Sequence, residues 1–278
     1  MIGAVLYALR TPLAGPLATA AAALFGSGTV AYAIRHARFV RSLGRAETAL
    51  AGGELGEARD ILAPLLDRFP ALPAIARASG RLLYAAGDPL SAATLLERAA
   101  PAFRRDRALV VTLVASYAAL NKAGDARRAA ALLPADPDVR LALAWAELVA
   151  LGGDRARGAD LAAGLPGDTT ARAAMAAVLR AIVAAQRGDA AAARVELRAA
   201  EARPDGLTDA ERAFLGYLGG VALREAGAVE DARATFGAAM EIGPGTIGEA
   251  LARRERSHLP GGTAADQLPS SSGQSPSD

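Results

Sequence analysis

The chain has 278 residues, 52% hydrophobic but only 4% aromatic, and a net charge of +2. Its Ala- and Leu-rich composition favours helix over strand, because both residues lose little on entering a helix. The lack of cysteine excludes disulfides, thiolate metal sites and cysteine nucleophiles, and the near-balanced charge argues against a nucleic-acid binder.

In chain order the first predicted element is apolar. No charge falls between Thr11 and Ile34. As a helix, Leu17 to Ile34 reaches about 27 Å at 1.5 Å per residue, close to a hydrocarbon core of roughly 30 Å. A single membrane-spanning helix is therefore predicted within residues 11–34, and residues 1–35 form an N-terminal anchor. Arg10 is the only charge before the span, whereas Arg35, Arg38, Arg41 and Arg45 follow it at once. The positive-inside rule then places the C-terminal part in the cytoplasm. The alternative is an exported envelope-assembly factor with a cleaved or inverted N-terminal segment. Ala31-Tyr32-Ala33 has the look of a cleavage site, although a signal peptide carries its positive charge before the apolar run.

From Phe39 onward the chain repeats itself. Glycines at 53, 87, 124, 153, 188 and 227 separate apolar runs, with spacings of 34, 37, 29, 35 and 39 residues. Five residues after most of them comes an alanine: Ala58, Ala92, Ala129, Ala193 and Ala232, with Gly158 in the fourth unit. Seven residues before them the residue is usually small, as at Ala46, Gly80, Ala146, Ala181 and Gly220. The glycine ends one helix where the turn favours a residue without Cβ. The small residues on either side let two antiparallel helices approach closely.

Pro70, Pro134, Pro166, Pro204 and Pro244 mark exits from second helices. Tyr117 stands where the third unit should be small, and Pro134 and Pro166 shorten the second helices of units three and four. Helices of about a dozen residues are marginal alone and gain stability by leaning on neighbouring units. Thr246 and Glu249 have capping-box spacing for a final helix through Arg256, which covers the last unit's apolar face. Residues 258–278 are Gly-, Ser- and Pro-rich and read as a disordered tail.

Taken together these positions resemble the tetratricopeptide repeat family. The best-matching sets are Gly53, Ala58, Leu62 and Pro70; Gly80, Leu83, Gly87, Ala92, Leu96 and Ala99; and Gly220, Leu223, Gly227, Ala232, Phe236, Ala239 and Pro244. The resemblance covers about Phe39 to Pro244. It implies an all-α chain: a right-handed superhelical solenoid of about six helix-turn-helix repeats over residues 36–257, capping helix included.

Members of that family bind protein segments in a concave groove lined by first helices. Carried over residue by residue, the groove positions include Arg77, Arg81 and Tyr84 in unit two, Asn121 in unit three, Arg140 and Glu147 in unit four, Ile182 in unit five, and Tyr217 and Arg224 in unit six. Arg77 and Arg81 lie four apart on one helix face. They suit either a carboxylate-bearing partner or an ordinary solvated face. Met175, Val178, Ile182, Phe214 and Tyr217 form an apolar run that either seats a partner's hydrophobic residue or packs the core, and Trp145 reads as a core filler. No catalytic set, cofactor or metal site is expected. His36 and His258 are far apart in the chain, and Glu196 and Glu201 sit among arginines as solvated charges. The sequence thus predicts a membrane-tethered scaffold that binds partner proteins and does not bind nucleic acid.

Overall fold

The computed structural model describes residues 14–202 and 206–260, with side chains from residue 32 onward. Among the described residues there are thirteen helices and no strand. They are α1 (Ala14–Gly52), α2 (Leu55–Arg68), α3 (Pro73–Ala85), α4 (Pro89–Ala99), α5 (Arg107–Ala119), α6 (Ala123–Ala130) and α7 (Pro137–Val149). There follow α8 (Arg155–Ala163), α9 (Thr170–Gln186), α10 (Ala190–Glu201), α11 (Asp209–Glu225), α12 (Val229–Ile242) and α13 (Ile247–Ser257). Each odd-numbered helix from α1 to α11 packs on the even-numbered helix after it, and also on the next odd-numbered helix. The even-numbered helices each touch the odd-numbered helix that follows.

The turn inside each of the six hairpins carries a residue with positive φ: Gly53, Gly87, Asn121, Gly152, Gly188 and Gly227. Two of these differ from the predicted turns, Asn121 replacing Gly124 and Gly152 replacing Gly153. Asparagine is among the few residues with a Cβ that visit the left-handed region, and its turn is wired like that of Gly87. Lys122 N donates to Tyr117 O at 2.8 Å, as Asp88 N does to Leu83 O at 2.8 Å. The third unit's small positions therefore shift from Tyr117 and Ala129 to Val114 and Ala126, both 0% exposed.

Close approach within the hairpins explains other glycines. A Cβ on Gly80 would lie 2.7 Å from Leu96 Cγ, and one on Gly158 would lie 2.7 Å from Leu148 Cγ. Units three and four have short second helices, of 8 and 9 residues, ending before Pro134 and Pro166. Pro204 lies outside the described residues.

The first helix runs for 39 residues without interruption. Phe39 meets Phe69 edge-on at 5.9 Å, and Ala46 and Ala49 are buried against α2 and α3. Before Phe39 the described side chains are exposed, Tyr32 at 70% and Ile34 at 48%. The predicted span falls mainly on residues whose side chains lie outside the described set. Among the described residues no helix is long and apolar enough to cross a membrane.

The last helix does more than cover α11 and α12. Its start is capped by Thr246, which accepts from Glu249 N at 3.4 Å. The Glu249 carboxylate returns to Gly245 N, one residue earlier than the predicted box requires. A reciprocal box instead opens α11, between Thr208 and Glu211. Ile247, Leu251 and Ala252 are buried. Beyond its neighbours α13 touches the second and third hairpins. Ala250 Cβ sits 2.9 Å from where a Cβ on Gly87 would lie, and Arg254 Nη1 donates to Ala119 O at 2.7 Å. That carbonyl is at the C-terminal end of α5, where a cation suits the helix dipole. The row of hairpins is thereby joined to itself across more than a hundred residues of chain.

Candidate functional site: the cavity among the odd-numbered helices

Side chains from five odd-numbered helices line one cavity of about 480 Å³. Its walls are Tyr84 from α3, Val111 and Ala115 from α5, Leu141, Ala142 and Trp145 from α7, Met175 from α9 and Phe214 from α11. Asp138, Arg172, Glu211, Thr112 and Thr169 supply the polar lining. A volume of this size falls within the usual range for ligand sites, as does an apolar wall with a few polar groups.

Trp145 packs edge to face on two aromatic neighbours, and the pairs of Tyr217 with Phe214 and Phe236 are tilted. Trp145 meets Phe214 at 4.9 Å with an interplanar angle of 80°. It meets Tyr217 at 6.3 Å and 77°, and Tyr217 leads on to Phe236 at 6.5 Å. Such contacts add roughly 0.5–1.5 kcal/mol each beyond area burial. Burial pushes the Tyr217 phenol up to about 12, with the Glu255 charge adding to the rise and Arg254, Trp145 and Arg224 opposing it. Burial, then Tyr217, raises Tyr84 as well. Both phenols are neutral across the physiological range. Trp145 Nε1 and the Tyr217 hydroxyl are buried near one another, close enough for the indole to favour the phenolate, but among the described residues neither reaches full hydrogen-bond geometry.

A ladder of ion pairs runs from Glu47, near the C-terminal end of α1, across the N-terminal ends of α3, α5, α7 and α9. Arg77 joins Glu47 on α1 to Asp106, the N-cap of α5, and its guanidinium lies 5.0 Å from the Phe103 ring centroid. Arg107 pairs with Asp136, the N-cap of α7, at 3.0 Å and also with Asp138. Arg172 on α9 reaches back to Asp138 at 2.6 Å and pairs with Asp168. The hydrogen bond from Arg172, which outweighs desolvation, holds the Asp168 carboxyl below its ordinary value. Asp106 and Asp136 each satisfy backbone donors of their own helix while binding an arginine of the preceding odd-numbered helix.

A second ionic node lies deeper. Glu147 is 0% exposed. It accepts from Arg127 Nε at 2.7 Å, Arg127 Nη2 at 2.6 Å and Asp154 N at 2.8 Å, with Arg157 Nε at 3.6 Å. Desolvation pulls its carboxyl upward, but the Arg127 and Asp154 hydrogen bonds and the Arg127 and Arg157 charges outweigh it, so the group sits below its ordinary value. The node ties α6 to α7 and to the start of α8.

The structure scatters the groove residues read from the sequence. Tyr84 lines the cavity, and Met175 and Phe214 from the apolar run line it too. Tyr217 and Ile182 are fully buried behind it. Arg77 and Glu147 are held in the two ionic systems. Arg81 is half-buried on α3 and lines no part of the cavity. Asn121 forms a turn. The Arg140 guanidinium lies over Gly164 at the end of α8. Arg224 pairs with Glu255 on α13 and with Glu225 at 2.9 Å. Asp138, Arg172 and Glu211 were not singled out from the sequence. Their signal is positional: Asp106, Asp136 and Thr208 each stand just before an apolar helix and mark where the odd-numbered helices begin.

No protein-family model matches the chain, and no curated protein or solved structure matches it either.

Proposed function

We propose that the chain is a tetratricopeptide-like solenoid of six helix pairs, acting as a membrane-tethered scaffold that captures a segment of a partner protein in the cavity among its first helices. The observation that carries this is the convergence of five successive odd-numbered helices on one apolar, polar-rimmed cavity. In a stack of this kind the first helices are the ones that face the concave side. The neutral Tyr84, the Trp145–Phe214 pair and the flexible Met175 offer a partner side chain rings and a thioether. These are surfaces suited to an inserted anchor. The long α1 supplies the tether, with its uncharged first half in the bilayer and Arg35 to Arg45 on the cytoplasmic side.

Ala171 lines the cavity and is half-buried. An Ala171→Trp variant fills the space without removing any of the ion pairs around it. Crosslinking and affinity capture from membranes, using the full chain, should recover a partner that the variant loses while its helical circular dichroism is unchanged. Capture that survives the filled cavity sinks the proposal. The orientation has a separate test. Alkaline phosphatase fused at the C-terminus should be inactive, and an active fusion would show that the helical body lies outside the cytoplasm.

A further inference from the structure

Taking the cavity as the partner site, as above, we infer that the side chain it receives is basic: a lysine or arginine on the partner segment, its stem against the aromatic wall and its charge at the acidic mouth. Four carboxylates, Asp136, Asp138, Asp168 and Glu211, belong to the mouth or to the ion pairs behind it, against the two guanidiniums of Arg107 and Arg172. Arg172 is committed, since Nε goes to Asp138 and Nη1 to Asp168. Glu211 is not. Its Oε2 accepts from Thr208 N at 2.8 Å and from Thr208 Oγ1 at 3.0 Å. Its Oε1 has no hydrogen-bond partner among the described residues. The mouth therefore carries an excess of negative charge and one carboxylate oxygen ready for a donor.

The wall fits the same guest. Trp145, Phe214 and Tyr84 line the cavity, and an aromatic ring face attracts a cation within about 6 Å of its centroid. Leu141, Ala142 and Met175 give the methylenes of a long side chain an apolar bed, as amphipathic stems require. An acidic side chain would face repulsion from the mouth. A purely apolar one would fill the wall and leave the Glu211 oxygen to solvent.

Trp145 is the only tryptophan in the chain, so its emission reports on this cavity alone. The full chain, in detergent, is titrated with short uncharged-backbone peptides identical except for a central lysine, arginine, leucine or glutamate. The lysine and arginine peptides should shift the emission saturably, with an affinity that falls as salt rises. Glu211→Gln keeps a capping-box residue, so α11 still starts normally, and it should weaken the basic peptides by about tenfold while leaving the leucine peptide unchanged. If the leucine peptide binds as tightly as the basic ones and without salt dependence, the basic anchor is wrong and the cavity remains a partner site. If no peptide shifts the emission, the basic anchor is wrong, and if Ala171→Trp also leaves capture from membranes intact, both readings fail.

Discussion

Replacing Arg127 with alanine is expected to destabilise the folded chain by about 3 kcal/mol, because it leaves a fully buried carboxylate short of its main partner. Glu147 is 0% exposed, while the Arg127 side chain is 33% exposed. The cost therefore comes chiefly from stranding the anion and much less from losing the arginine. Asp154 N and the more distant Arg157 soften the loss, which places the effect at the lower end of the range for broken buried pairs. Urea unfolding followed by circular dichroism measures it. A cost below about 0.5 kcal/mol, the size of a neutral surface change, would show that the node contributes nothing. Exchanging both partners together, Arg127→Met with Glu147→Met, should recover most of the loss.

The same node sets a pH dependence. Glu147 is held below the ordinary glutamate value of 4.5, so the unfolded chain binds its proton more readily than the folded one. The stabilisation is fully present above about pH 4.5 and is lost as the pH falls through the lower folded value. Glu147→Gln should flatten the acid side of the stability profile, and an unchanged slope would remove this group as its cause.

Trp145→Ala is expected to cost about 3–5 kcal/mol, the usual loss when a buried tryptophan is truncated. The ring is 2% exposed and holds both Phe214 and Tyr217 at edge-to-face distance. Its removal opens the existing cavity into the core between α7 and α11, so the wall that would receive a partner goes with it. Thermal unfolding should show the loss, and Val195→Ala, on a side chain 64% exposed, should stay within about 0.5 kcal/mol of the parent. A Trp145→Ala protein as stable as that control would mean that the aromatic cluster is not a packed part of the core.

Much of the hairpin pattern was legible because it follows from local chemistry. Gly53, Gly87, Gly188 and Gly227 hold the positive φ that their positions suggested, and Gly80 and Gly220 lie where another helix presses close. The third unit was misread because a turn needs a backbone conformation, not a particular residue. Asn121 supplies that conformation, and an Ala-rich sequence offers small residues in more than one register. The closure through α13 was not legible. Nothing local in Ala250 or Arg254 signals contact with Gly87 or with the carbonyl of Ala119, from which they are separated by more than a hundred residues of chain. For the same reason the carried-over groove residues divide among surface, core and ion pairs. Spacing within one helix fixes a face, but which side chains meet depends on five helices converging.

The contact of α13 with the second hairpin is the longest-range feature of the fold, and it can be tested directly because the chain has no cysteine. Thiols introduced at Leu90, 60% exposed at the start of α4, and at Arg253, one turn beyond Ala250 on α13, give a single pair for a short bifunctional maleimide. Near-complete crosslinking within one chain is the expected result at dilute protein concentration. Two thiols that each react readily but never link would show that α13 does not reach the second hairpin, and an open stack would replace the closed one described here.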